Sequence, residues 1–270
     1  MRHEKIDIRV EGSAQDSALY TYLLDPSPEL RTSERPLILL CPGGGYEFTS
    51  DREAEILAMQ FVAMGYHAAV LRYSVAPAHY PVALLELANS VRILKENAKE
   101  WHIISDKIFV EGCSAGGHLA ASLGVFWNDQ AIADMLNTTN ESIKPAGMIL
   151  CYPVITSGEY AHRGSFDALL NGICTDELLE KVSLENQVTA NTVPAFIWHT
   201  YTDGLVPVEN SLLFVSALRR ANVNTEFHMY PVGGHGLSTA KEITRSPEWC
   251  EIQPECQSWL SQVEMWLKLQ

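Results

Sequence analysis

KIFVEGCSAGGHLAASLGVF, residues 107–126, is the stretch on which the reading of this chain turns. Its first part, KIFVEG, is a short apolar run of the kind that forms a buried strand. Its last part, HLAASLGVF, has the composition of a helix. Between them lies G-x-S-x-G, formed by Gly112, Ser114 and Gly116, with Gly117 added. A strand that passes into a helix through so few residues turns sharply, so small neighbours are needed where the backbones crowd. Such a turn pushes Ser114 into a strained conformation with its oxygen projecting, and the helix N-terminus behind it favours developing negative charge. A dinucleotide fingerprint would need G-x-G-x-x-G, which is absent here.

The same alternation extends along the chain in both directions. Strands are predicted at residues 5–10, 18–24, 37–41, 67–73, 107–111, 147–152, 195–200 and 225–230. From the third onward most are near-continuous apolar runs, such as LILLC and MILCY, which suit a parallel sheet buried on both faces. The first two are more polar and read as an antiparallel edge. Helical stripes lie between them: Leu84, Leu87, Ala88, Val91 and Leu94; Ala54, Leu57, Phe61 and Val62; Val208, Leu212, Val215 and Leu218; and Cys256, Trp259, Leu260, Val263 and Leu267. Strand–helix alternation implies right-handed crossovers and an α/β three-layer sandwich with a mostly parallel eight-stranded sheet. One domain is expected over residues 1–270. Residues 153–192 separate two apolar strands by more than one crossover needs, and read as a cap-like excursion over the active site.

Composition narrows the function classes. The chain has 270 residues, 47% hydrophobic and 19% charged, with a net charge of −14. A net anion repels phosphate backbones and anionic lipid, so neither nucleic acid nor membrane is expected as a partner. Residues 1–12 are charged and lack the roughly 7–15-residue apolar core of a secretory signal. No apolar run reaches the roughly 18 residues of a bilayer span. The six cysteines, at 41, 113, 151, 174, 250 and 256, show no C-x-x-C or zinc spacing. A reduced, cytoplasmic protein without metal or cofactor is the expectation, with its oligomeric state open, a homo-oligomer included.

A serine hydroxyl needs a base and the base needs an orienting acid, here in the order Ser, Asp or Glu, His. His235 sits in the loop VGGHGL, five residues past the last strand, where three glycines leave its ring free to reach Ser114. His228 alternates with apolar neighbours in FHMY and reads as a strand side chain. Asp203 lies three residues beyond the strand AFIWHT, at its carboxyl end; Asp167 and Asp176 follow no buried strand and rank lower. His118 reads as a packing or orienting residue and His199 as a satisfied core histidine. LCPGGGY, residues 40–46, follows another strand, and its glycines leave N–H groups unobstructed. Gly44 and Gly45 are the favoured oxyanion donors, with Ala115, the residue after the serine, completing the hole.

The strings CPGGGYEFTSDREAE, LRYSVAPAHYP, IFVEGCSAGGHLAASLG, FIWHTYTDGLVP and GGHGLS make the chain similar to α/β-hydrolases of the hormone-sensitive-lipase and feruloyl/acetyl-xylan-esterase kind. It most resembles small intracellular esterases that remove acetyl groups from sugars. The resemblance implies Ser114 as nucleophile, His235 as base, Asp203 as its orienter, and a small ester substrate such as an acetylated sugar. A general short-chain carboxylesterase is the alternative within enzymes. A non-catalytic binding protein on the same fold is the rival from another class, and such proteins typically lose a triad member. One departure stands out: many relatives carry HGGG, and here Pro42 occupies the first position. Tyr46 and the Arg52/Glu53 pair are candidates to brace the loop instead, the pair being equally readable as a solvated helix start. Val206, Leu237, Tyr152 and Trp127 are acyl-pocket candidates, each of which also suits the core.

Overall fold

The computed structural model describes residues 1–247 and 252–270, so Cys250 lies outside the described residues. The strands are β1 (Lys5–Ile6), β2 (Ala18–Tyr22), β3 (Arg35–Cys41), β4 (His67–Arg72), β5 (Ile103–Cys113), β6 (Gly147–Cys151), β7 (Ala195–Thr200) and β8 (Thr225–Tyr230). They form one open sheet in the order β1-β2-β4-β3-β5-β6-β7-β8. β1 and β2 pair antiparallel, as does β2 with β4, and every pairing from β4 through β8 is parallel. The polar first strands are thus the antiparallel edge expected of them.

Two strand boundaries differ from expectation by more than two residues. β1 stops at Ile6 because the Asp7 carboxylate accepts from the Arg9 backbone N–H at 3.0 Å and from its guanidinium at 2.9 and 2.7 Å, which turns the chain off the ladder. β5 starts earlier, at Ile103. Its polar Ser105 and Asp106 read as a loop, but the strand continues through them with an irregular register against Arg35 and Leu37.

The helices are α1 (Glu55–Ala63), α2 (Val82–Glu96), α3 (Ala115–Phe126), α4 (Gln130–Met135), α5 (Asn140–Ile143), α6 (Arg163–Leu169), α7 (Asp176–Val182), α8 (Glu209–Arg220) and α9 (Trp259–Leu267). Alternate strand residues face opposite layers. Leu37, Leu39 and Cys41 pack with α2, α3 and α8. Ile38 and Leu40 pack with Leu57 and Phe61 of α1 and Trp259 and Val263 of α9. Three of the four predicted helical stripes face these cores. On α8 the stripe is rotated: Leu212 is 43% exposed, and the buried face is Asn210, Ser211, Phe214, Ala217 and Leu218.

The rotation has a polar cause. Asn210 accepts from the Ile155 and Thr156 N–H groups at 2.9 and 3.0 Å and donates to the Tyr160 carbonyl at 2.9 Å. Ser211 donates to His199 at 2.8 Å. Satisfied polar side chains sit inward at little cost, so hydropathy alone misplaces the face. Among the described residues, no helix is long and apolar enough to cross a membrane.

Phe214→Ala should lose about 3–5 kcal/mol of stability, whereas Leu212→Ala should stay within about 0.5 kcal/mol. Urea unfolding of the two variants checks this; equal losses would contradict the observed helix face.

Candidate active site

β3, β5, β7 and β8 run parallel, so the loops that follow them meet at one edge of the sheet. Ser114 lies between the last residue of β5 and the first of α3, with φ 54° and ψ −121°. A left-handed φ of this kind costs a non-glycine residue on the order of 1–3 kcal/mol and aims the side chain away from the sheet. The turn is tight enough that a Cβ on Gly116 would lie 1.9 Å from the Cys41 carbonyl oxygen. That contact fixes a glycine two residues after Ser114.

The Ser114 hydroxyl donates to His235 Nε2 at 2.7 Å. His235 Nδ1–H donates to Asp203 Oδ2, also at 2.7 Å. The other Asp203 oxygen accepts the Leu205 and Val206 N–H groups at 2.9 and 3.0 Å. His199 is satisfied, as expected, but one of its partners is Asp203 itself. Its Nε2–H faces Asp203 Oδ2 at 3.2 Å and the Val206 carbonyl at 3.0 Å, and Ser211 donates to its Nδ1. Burial alone would raise the Asp203 pKa. Hydrogen bonds and charge from His199 and His235 outweigh it and hold the carboxyl well below its usual range. Asp167 and Asp176 lie elsewhere, on α6 and α7, and His228 pairs with Glu226 on β8.

The loop after β3 is braced without a histidine at position 42. Tyr73 donates its hydroxyl to the Pro42 carbonyl at 2.6 Å. The Gly43 N–H donates to Glu53 Oε2 at 2.9 Å. Tyr152 donates to Glu53 Oε1 at 2.8 Å and accepts from the Ser238 N–H at 2.8 Å. Glu53 is buried, so it is no solvated helix start. Arg52 donates to the carbonyls of Gly236 and Thr244, on the loop that carries His235. Tyr46 donates to His118 Nδ1 at 2.9 Å, and His118 Nε2–H donates to the Val182 carbonyl at 2.8 Å. With Gly43 committed to Glu53, the N–H groups of Gly44, Gly45 and Ala115 have no acceptor among the described residues.

A cavity of about 550 Å³ opens over Ser114 and His235, walled by Gly44, Gly45, Phe48, Leu205 and His162. Of the pocket candidates from the sequence, Val206, Leu237 and Tyr152 take the core reading and none of them lines this cavity. Trp127 lines a separate cavity with Lys95, Lys107 and Lys144. Phe48, Leu205 and His162 escaped notice because loop residues carry no periodic pattern. Residues 153–192 reach the cavity through His162, whose pKa is lowered by burial and by His235. The rest of that segment buries Phe166, Leu169 and Val182 against the α3 side.

An open, mostly parallel sheet with helices on both faces and a serine at the β5–α3 turn defines an α/β-hydrolase. Residues 26–218 match the BD-FAE family, and the chain belongs to it. Endo-1,4-beta-xylanase B of Butyrivibrio fibrisolvens is 40% identical over 219 residues, 77% of this chain and 33% of that protein. Acetylxylan esterase of Xylanibacter ruminicola is 29% identical over 202 residues, 73% of this chain and 40% of that protein. The chain therefore spans 33–40% of the length of these two relatives. The crystal structure of an acetyl ester-xyloside bifunctional hydrolase from Caldicellulosiruptor lactoaceticus aligns with a TM-score of 0.85 at 33% identity, covering 99% of this chain and 96% of that one. The fold is that of an α/β-hydrolase esterase resembling acetyl xylan esterases.

His118 gives the site a measurable pH signature. Its burial lowers its pKa from about 6.5 to about 4, so protonation favours the unfolded chain. Stability should fall as pH drops from about 6.5 toward 4, by up to about 1.4 kcal/mol per pH unit from this residue. Urea unfolding across that range should show a slope shallower by about one proton in His118→Gln; an unchanged slope would contradict a neutral buried ring.

Proposed function

We propose that this chain is a serine carboxylic-ester hydrolase that removes short acyl groups, chiefly acetyl, from sugar hydroxyls, acting on small molecules such as acetylated xylo-oligosaccharides in the cytoplasm. The observation that carries the reading is the continuous Ser114–His235–Asp203 hydrogen-bond chain at the floor of the cavity. A binding protein on this fold has no need of all three groups in line.

In this reading Ser114 Oγ attacks the acyl carbon while its proton passes to His235 Nε2. Asp203 keeps Nδ1 protonated and stabilises the imidazolium. The tetrahedral oxyanion is received by the N–H groups of Gly44, Gly45 and Ala115, each worth roughly 3–4 kcal/mol to the transition state. Collapse expels the sugar oxygen, which takes the proton from His235. Water then attacks the acyl-serine with His235 again as base, releasing acetate and restoring Ser114. The residues from 153 to 192 serve as a partial cap through His162, within a single domain over residues 1–270. A second reading, a general short-chain carboxylesterase, draws support from the apolar cavity walls: Phe48 is 56% and Leu205 49% exposed there.

A phosphonate ester should label one serine, and Ser114→Ala should lose about 10⁴-fold or more in kcat. Asp203→Asn should keep the fold and lose on the order of 10⁴ by favouring the wrong tautomer. Labelling at another serine, or near-normal turnover in either variant, would overturn the assignment.

An acyl series on one alcohol separates the two readings of substrate. Each methylene that fails to fit should cost about 1–3 kcal/mol. Thus kcat/KM should drop steeply from acetate to butyrate, and acetylated xylose should match an aryl acetate once leaving-group reactivity is allowed for. Preference for octanoate, or indifference to every acetylated sugar, would favour the general carboxylesterase.

A further inference from the structure

Beneath the Ser114 turn, on the face covered by α1 and α9, β5 and β6 bring three ionisable side chains into a closed apolar space. Glu111 and Cys113 are two apart on β5 and share a face. Cys151 is paired in register with Cys113 across the ladder. All three are fully buried. The Cys113 and Cys151 thiols both donate to Glu111 Oε1, at 3.3 and 3.2 Å. The three side chains offer ligand atoms that all lie within 4.8 Å of one another.

The cluster is incomplete as it stands. Glu111 Oε2 has no hydrogen-bond partner among the described residues, and neither has the buried indole N–H of Trp198. Burial pushes the Cys151 thiol up to about 12, and the nearby Trp198 indole N–H offsets this only in part. Buried polar atoms are seldom left unpaired, and each costs about 1–3 kcal/mol. Neither protonation state of Glu111 resolves this. Ionised, it is an uncompensated charge in an apolar core. Protonated, it still has an oxygen without a partner.

We propose that Glu111, Cys113 and Cys151 form a closed structural site for a thiophilic divalent cation of the zinc class. Two thiolates and a bidentate carboxylate supply four donor atoms of the type such a cation takes. At bond lengths of about 2.1 Å to oxygen and 2.3 Å to sulfur, a carboxylate oxygen and a thiolate sulfur at a tetrahedral angle stand about 3.6 Å apart, while the two oxygens of the carboxylate subtend a narrower angle. The observed 3.2 and 3.3 Å separations reach that spacing with shifts of a few tenths of an ångström. The cation replaces the two thiol protons and, where Glu111 is protonated, the carboxyl proton. It gives Oε2 its missing partner and leaves one net negative charge, offset in part by the neighbouring indole N–H. The site takes no part in the hydrolytic steps above. It fastens β5 to β6 one residue before Ser114 and one residue before Tyr152.

Cation retention by the full chain tests the site without reference to activity. The tag-free protein is unfolded with reductant and chelator, refolded in Zn²⁺ or Co²⁺, and desalted. One cation per chain should remain by elemental analysis, and the Co²⁺ form should show a thiolate-to-metal charge-transfer band. Native mass should rise by one cation less the displaced protons. Cys113→Ser with Cys151→Ser should abolish retention and band, Glu111→Gln should weaken retention about tenfold or more, and Cys174→Ser should change neither. Absence of retained cation in the wild type overturns the proposal, as does a cation held without the thiolate band. Retention that survives the double variant marks an adventitious ion only. Should the cysteine variants fail to fold, wild-type stoichiometry and the band decide.

Discussion

The buried carboxylate of Glu53 joins two loops that approach Ser114 from different parts of the chain. One oxygen receives the Gly43 N–H; the other receives the Tyr152 hydroxyl, which itself accepts from Ser238. A charged acceptor strengthens such bonds and fixes their directions. Only a glycine allows the approach, since a Cβ at position 43 would stand 2.6 Å from Glu53 Oε2. By taking one glycine N–H out of use, the carboxylate leaves those of Gly44 and Gly45 as the glycine donors of this loop without an acceptor among the described residues. The loop at 42–46 and the loop at 233–238 are therefore positioned by the same group, and the spacing between proposed oxyanion donors and proposed base follows from it.

A second carboxylate works in the opposite sense. Asp203 is buried, but four donors converge on it: two backbone N–H groups and two imidazoles. Such a carboxylate stays ionised and has little freedom to rotate. His199 and His235 share Asp203 Oδ2 while the Leu205 and Val206 N–H groups hold Oδ1, so the ring of His235 is presented with a defined nitrogen toward Ser114. The Thr200 and Thr202 hydroxyls both donate to the Gly233 carbonyl, at 2.9 and 3.0 Å, and tie the Asp203 loop to the His235 loop.

All eight strands were legible in the sequence: most from β3 onward because apolar runs of five or six residues bounded by turns leave little choice, and the first two as a more polar edge. Ser114, Asp203 and His235 were legible by chain order and by position after a strand, and the structure brings the three together. What escaped was decided by side chains meeting across the sheet. The face of α8 depends on the partners of Asn210 and Ser211, which hydropathy ignores. Bracing by Glu53 was one of two readings of its position, and the partner that decides for it, Tyr152, lies 99 residues away in sequence. The Glu111–Cys113–Cys151 cluster has no linear spacing to betray it, since its third member comes from a neighbouring strand. Pocket walls were the least legible of all, because Phe48, Leu205 and His162 lie in loops whose paths follow from the packing of everything else.

His235 follows β8, the outermost strand of its edge and the last in the sheet to appear in the chain. During vectorial synthesis, the Ser114 turn, the glycine loop and Glu53 emerge long before it. A nascent chain that has folded only as far as β7 carries a serine with no base, in a turn already strained. The proposed chemistry is therefore withheld until the last strand of the sheet docks, so that hydrolytic competence becomes a read-out of a completed sheet.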